Sequence, residues 1–179
     1  RRAIQILTGV YISLTLLETI ALWICGMSLY DAITHSFATI ATGGFSPKNA
    51  SIAYYNSPAI EIIIIVFMIL SGIHFALLFS VFTGSIKSLW RSTVLRFYLL
   101  FLSLGVVTST LDLYFLQDLD LLTSLRHASF NIISIGTSTG FATTDTTAWP
   151  AFSKLILLFF ALQCACSGST SGGIKVDRI

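Results

Sequence analysis

The chain has 179 residues, enough for one domain or a small multi-span membrane protein. Apolar residues are 55% and charged residues 10%, and the mean hydropathy is +0.86; a soluble domain carries about 25% charge, so a soluble enzyme is nearly excluded. The net charge of +2 supports no nucleic-acid partner. Cys164 and Cys166 are too close together for a metal pair and no His stands at ligand spacing, which argues against both a zinc site and a disulfide framework. No cleavage pattern follows Arg1 and Arg2, and with no initiator Met and an abrupt end at Val176–Ile179 the chain reads as a fragment.

Four apolar stretches are long enough to cross a bilayer or nearly so. The first runs over 3–27 and carries Glu18. The second runs over 58–84, interrupted by Glu61 and His74. The third covers 93–116. The fourth covers 150–166 and dissolves into a Gly/Ser/Thr run. Two shorter stretches, 31–41 and 124–135, lie between them. Each has about eleven to twelve residues, too few to span as a helix, so each is expected to enter and leave by one face.

The charges orient the crossings. Lys87, Arg91 and Arg96 cluster between the second and third, Arg1 and Arg2 precede the first, and Arg178 follows the fourth. By the positive-inside rule these points are cytoplasmic. Asp31, Asp112, Asp118, Asp120 and Asp145, with Lys48, Arg126 and Lys154, fall on the other side. Trp90 and Trp149 read as interfacial anchors.

A shift of 96 positions superimposes Thr42-Gly43-Gly44-Phe45 on Ser138-Thr139-Gly140-Phe141, Ala32 on Ala128, and Ser71-Gly72 on Ser167-Gly168. Each unit reads crossing, half-crossing, glycine loop, crossing. Two full crossings per unit make the repeat parallel, unlike the inverted repeats of many secondary transporters. Non-helical backbone is tolerated at membrane depth where it lines a cavity or is buried in protein. A filter of carbonyl oxygens replaces a cation's hydration shell, and Gly permits the dihedrals that aim those carbonyls. A ring of four such loops suits a monatomic ion; this chain would carry half of it.

At Ala38–Ser46, Ser138–Asp145 and Gly168–Lys175 the sequence resembles bacterial potassium-uptake subunits of the Trk/Ktr/HKT potassium transporter superfamily. The resemblance implies an all-α membrane protein with a potassium-channel-like pore, built from repeated membrane helix, re-entrant pore loop, membrane helix units. It implies that residues 1–85 and 93–179 are the second and third of four pore repeats, joined by a cytoplasmic linker at 86–92. It places one filter strand at Thr42, Gly43, Gly44 and Phe45, and another within 136–141, at Thr137, Ser138, Thr139, Gly140 and Phe141. Potassium would be held by the backbone carbonyls of Thr42, Gly43, Ser138 and Thr139. A glycine at 44 and 140 goes with potassium preference in that superfamily. The run Gly136-Thr137-Ser138 departs from the frequent threonines but keeps a hydroxyl. A gating loop is implied at Cys164, Ala165, Cys166, Ser167, Gly168, Ser169, Thr170, Ser171, Gly172, Gly173 and Lys175. In that stretch Gly, Ser and Thr support a helix poorly.

The resemblance further implies a protein of the bacterial inner membrane, in contact with its lipid, with filter loops toward the periplasm and the Lys87–Arg96 linker in the cytoplasm. Implied partners are the other pore repeats of the parent chain, a second protomer in a homodimer, and a cytoplasmic nucleotide-binding regulatory subunit resembling TrkA. No cofactor, enzyme activity or nucleic-acid partner is expected; potassium is the transported substrate. Two alternatives stay open: a cation-coupled secondary transporter of an organic solute, and a less selective monovalent cation channel. A purely structural membrane subunit would not need duplicated glycine loops.

Side chains outside these motifs have plainer readings. Glu18 is expected to make a structural bond within the bundle rather than touch the ion. Glu61 either adds negative field at the mouth or reaches the interface. Asp31, Asp118 and Asp120 cap pore helices, enrich the vestibule in cations, or both. His35, His74 and His127 are structural. Lys175 either faces the pore or snorkels to the interface.

Overall fold

A computed structural model describes residues 2–82 and 91–175. Arg1, Lys87, Trp90 and Arg178, used above for orientation and anchoring, lie outside the described residues. The first helix, α1, runs from Arg2 to Ile24; its 23 residues reach about 34 Å, and the chain turns at Gly26. One face, Val10, Leu14, Thr15, Glu18 and Leu22, is buried, whereas Ile12, Leu16, Leu17, Ile20 and Trp23 are exposed. Helix α2, Leu29–Ile40, starts after Ser28, whose hydroxyl accepts from the Asp31 N–H at 3.1 Å. The chain returns through a 3-10 turn, Ser51–Tyr55, to α3, Pro58–Ser71, and α4, Phe75–Phe82.

The second unit repeats the order. Helix α5 is Thr93–Leu116, α6 is Leu121–Gly136 with Asp120 as its cap, and α7 is Ala151–Leu162. Two-residue strands, β1 at Gln163–Cys164 and β2 at Ile174–Lys175, pair in parallel with Gln163 opposite Ile174. Among the described residues everything else regular is helical. α1 and α5 pass the length and hydropathy test for a membrane crossing.

The fold is inside-out by the standards of a water-soluble protein. Glu18, Thr15, Ser109 and Thr110 are buried, while α5 leaves Phe97, Leu100, Leu104, Val107 and Phe115 exposed. That distribution suits helices bathed in lipid or packed against further helices. Two apolar clusters hold the units together. One centres on Tyr98, Leu102, Ile132 and Phe160; the other joins Leu22, Ile64 and Met68 to Phe130, Ile133 and Phe141 from the second unit.

Several expected boundaries move. The 58–84 crossing is two helices, because the chain leaves helical geometry over 72–74. There the Cys166 N–H donates to the Gly72 carbonyl at 3.1 Å and the Phe75 N–H to the Gly168 carbonyl at 3.2 Å. The 3–27 crossing ends at Ile24, where Gly26 adopts φ +97°. The helix of the 150–166 crossing ends at Leu162, because Gln163 turns extended to pair with Ile174. The half-crossings are 12 and 16 residues long, extended at their N-terminal ends by the Ser28 and Asp120 caps.

Candidate functional site: two glycine loops and an intramembrane loop

Both half-crossings end in the same hydrogen-bonded turn. In the first, Thr42 N–H donates to the Thr39 carbonyl at 3.0 Å and Gly43 N–H to the Ala38 carbonyl at 2.8 Å. In the second, Ser138 N–H donates to the Ile135 carbonyl and Thr139 N–H to the Ser134 carbonyl, both at 2.8 Å. This is the Schellman arrangement, and every atom obeys the 96-residue shift. The residue just past each helix is left-handed, Thr42 at φ +50° and Ser138 at +55°. Glycine usually takes that place, so the two loops hold non-glycine residues in a conformation that surrounding structure has to enforce. Gly44 and Gly140 follow at φ +63° and +91°.

The two loops touch. A Cβ on Gly44 would collide with the Thr139 carbonyl oxygen and lie 3.0 Å from the Gly140 carbonyl carbon. Phe141 is buried against His35 of the other unit, ring centroids 5.7 Å apart. Phe45, its equivalent, is 79% exposed. The side of the first loop that matches the His35–Phe141 contact is thus unoccupied by the described residues.

Each loop is braced from the helix before it by buried polar side chains. His35 Nδ1 lies 2.7 Å from the Asp31 carbonyl, and Nε2 lies 3.0 Å from Ser46 Oγ. The carbonyl accepts only, so Nδ1 carries the proton and Nε2 accepts from Ser46. Asn131, 96 residues on, repeats the pattern. Its Nδ2 donates to the His127 carbonyl at 2.9 Å and to Thr143 and Thr144 Oγ1 at 3.1 and 3.3 Å. Ser134 Oγ also donates to the Phe141 carbonyl at 2.7 Å. Asn131 and Ser134 escaped the sequence reading, although aligning the units at 96 puts Asn131 on His35. Replacing His35 by Asn should therefore keep the Ser46 limb of the first loop anchored. His35→Leu strips the partners of Ser46 and the Asp31 carbonyl, at a cost of about 1–3 kcal/mol. Thermal melting of the solubilised parent protein checks this: Leu should melt earlier than Asn.

Acidic residues near the loops are mostly spoken for. Asp31 pairs with Lys48 at 3.4 Å. Glu61 forms a two-toothed ion pair with Arg126, both contacts 2.7 Å, and Arg126 also reaches Asn56 Oδ1 at 3.1 Å. Glu61 is 2% exposed, so it clamps α3 to α6 rather than reaching an interface or facing the mouth. Asp112 Oδ2 accepts from Ser153 N at 2.9 Å and Oγ at 2.6 Å, tying α5 to the start of α7. Asp120 caps α6 through the Leu122 N–H at 3.2 Å. Asp145 lies in the loop between α6 and α7, where bonds from the Thr147 hydroxyl and N–H lower its pKa. Glu18 is fully buried, and among the described residues neither carboxylate oxygen has a partner in good hydrogen-bond geometry, although the Thr39 side chain lies close enough to interact with it.

The residues between β1 and β2 form a closed loop. Ser169 Oγ donates to the Cys166 carbonyl at 2.7 Å and meets Ser171 Oγ at 2.8 Å. Lys175 Nζ donates to the Ser171 carbonyl and hydroxyl, so the ammonium is turned into the loop. The loop docks on the break between α3 and α4. Thr170 Oγ1 donates to the Ser71 carbonyl at 3.3 Å, and a Cβ on Gly168 would lie 2.6 Å from His74 Nε2. The paired breaks are the Ser71-Gly72 and Ser167-Gly168 of the sequence repeat. At its far end Gly172 N–H donates to Ser138 Oγ at 3.0 Å.

The family model for TrkH, a cation transport protein, matches residues 1–179. The chain belongs to the TrkH family. It is 43% identical over 172 residues to the Trk system potassium uptake protein TrkH of Salmonella typhimurium, covering 95% of this chain and 36% of that protein. Against the Trk system potassium uptake protein TrkG of Escherichia coli it is 38% identical over 157 residues, 87% of this chain and 32% of that one. Among solved structures, the potassium transporter TrkH from Vibrio parahaemolyticus superimposes with a TM-score of 0.94 at 36% identity. That match covers 99% of this chain and 39% of the other. The all-α, membrane-helix-rich fold with its channel-like pore architecture is that of the family. The chain spans about a third of the length of the curated relatives it matches.

Proposed function

We propose that the parent of this chain takes up potassium across the bacterial inner membrane, and that these residues supply two of four strands of its filter. The observation that carries the reading is the exact duplication of the loop turns, with Thr42 and Ser138 left-handed and Gly44 and Gly140 following. The turn consumes the carbonyls of Ala38, Thr39, Ser134 and Ile135. It leaves those of Thr42, Gly43, Ser138 and Thr139 available to replace a hydration shell. The exposed Phe45 is where the pore helix of a further repeat would pack, as α2 packs on Phe141. The loop over 164–175 is the gate, below the filter. A homodimer and a cytoplasmic regulatory subunit resembling TrkA belong to the same reading. No enzyme chemistry is involved.

Tracer rubidium uptake by the full parent protein in liposomes tests it. Potassium should compete strongly, sodium weakly, and organic solutes not at all. Sodium competing as well as potassium favours the less selective channel, and uptake that requires an organic solute favours the coupled transporter.

The same reading sets topology. A cysteine at the exposed Asn49 should react with an impermeant thiol reagent outside permeabilised outer envelopes, and one at Ser88, in the basic linker, should be protected. Protection at 49 with reaction at 88 inverts the orientation.

A further inference from the structure

Among the described residues, the hydrogen bond between Gly172 and Ser138 has no counterpart in the first unit. The hydroxyl of Thr42, the equivalent of Ser138, donates instead to the carbonyl of its own neighbour Ala41 at 2.8 Å. Ser138 is left-handed at φ +55° and half-buried. Its N–H is held by the Ile135 carbonyl at 2.8 Å and its hydroxyl by Gly172 at 3.0 Å. The next residue, Thr139, bonds to Thr137 through its hydroxyl at 2.8 Å, and its carbonyl abuts Gly44. The side chain of Ser138 is thus fastened to the intramembrane loop, while its carbonyl and that of Thr139 are two of the proposed ion ligands. The loop is tied within itself by Ser169, Ser171 and Lys175 and closed at its base by the β1–β2 pair. A displacement of its base therefore carries Gly172 with it.

We infer that the Gly172–Ser138 bond couples the gate to the filter, so that withdrawal of the loop reorients the second filter strand and lowers ion discrimination as the path opens. The inference rests on reading the loop over 164–175 as the gate. A non-glycine residue in the left-handed region returns toward ordinary geometry when a restraint is removed. At Ser138 such a return rotates the peptide that carries a ligand carbonyl. The second strand is the responsive one, because among the described residues the first has no such tether.

The test uses the full parent protein in liposomes, measuring basal flux and rubidium-over-sodium preference for S138A, G172P and the double variant. Proline removes the Gly172 N–H, and alanine at 138 removes the acceptor. Each single variant should raise flux and lower the preference about threefold, the worth of one ordinary hydrogen bond. The double variant should go no further than the larger single one. S138T, which keeps the hydroxyl, should recover most of the preference. G172A, which keeps the N–H and whose Cβ would meet nothing within 4 Å, should shift it far less than G172P. Single effects that multiply in the double variant overturn the coupling. So does a G172P protein with raised flux and unaltered preference, and so does G172A matching G172P. The gate reading has its own test at Gly168, away from this bond. Failure there, with S138A and G172P still non-additive, would sink the gate and leave a loop that only shapes the filter.

Discussion

Gly44→Ser should reduce the preference of the parent protein for potassium over sodium by about tenfold or more, roughly 1.4 kcal/mol of differential binding. Two causes act together. At φ +63° a side chain is strained by about 1–3 kcal/mol, and the new Cβ would be driven into the Thr139 carbonyl oxygen and to 3.0 Å from the Thr139 and Gly140 carbonyl carbons. These neighbours are backbone atoms with no flexible end to swing away, so the second loop has to shift. One substitution thus disturbs both strands. Gly140→Ser shares the strain, at φ +91°, but its Cβ meets no described atom within 4 Å, so its effect should be smaller. Reversal potentials with potassium on one side and sodium on the other measure both. Equal effects would contradict the contact geometry, and unaltered ratios in both would remove the loops from the filter.

Gly168→Ala should raise basal ion flux, by about tenfold if the loop loses roughly 1.4 kcal/mol of docking. Gly168 has φ +73°, and its Cβ would lie 2.6 Å from His74 Nε2 and 2.7 Å from Cδ2. The ring is fixed, because its Nδ1 accepts from the Ala76 N–H at 3.0 Å. Shortening it relieves the crowding, so H74A combined with G168A should bring flux part of the way back, the backbone strain remaining. Flux unaffected by G168A in a folded, membrane-inserted protein would mean that the loop is no barrier. A second-site H74A that makes matters worse would mean that the clash is not the cause.

The lipid-facing character, both glycine loops and the repeat were legible because composition and a fixed 96-residue shift need no tertiary information. The same shift overlays His35 on Asn131, yet their shared bracing was hidden. A histidine and an asparagine look unlike until both are seen bonding back one turn and forward to a loop hydroxyl. The break in the second crossing was hidden for a different reason. Ser71-Gly72 sits in a strongly apolar run that hydropathy reads as continuous, and the break is sustained by backbone bonds from Cys166 and to Gly168, ninety-odd residues away. The partner of Glu61 was likewise invisible, since Arg126 is 65 residues off on another helix. Glu18 goes the other way. Intramembrane acids usually find a partner, and here burial is complete while, among the described residues, neither oxygen has a partner in good hydrogen-bond geometry.

The central claim is that monovalent cations are bound by the backbone carbonyls of these two loops. Anomalous diffraction from crystals of the parent protein grown in rubidium or thallium, with a matched sodium control, tests it most directly. The account predicts anomalous peaks within coordinating distance of the Thr42, Gly43, Ser138 and Thr139 carbonyls, displaced by potassium and not by sodium. Peaks placed elsewhere in the pore, with none beside these four carbonyls, would contradict it.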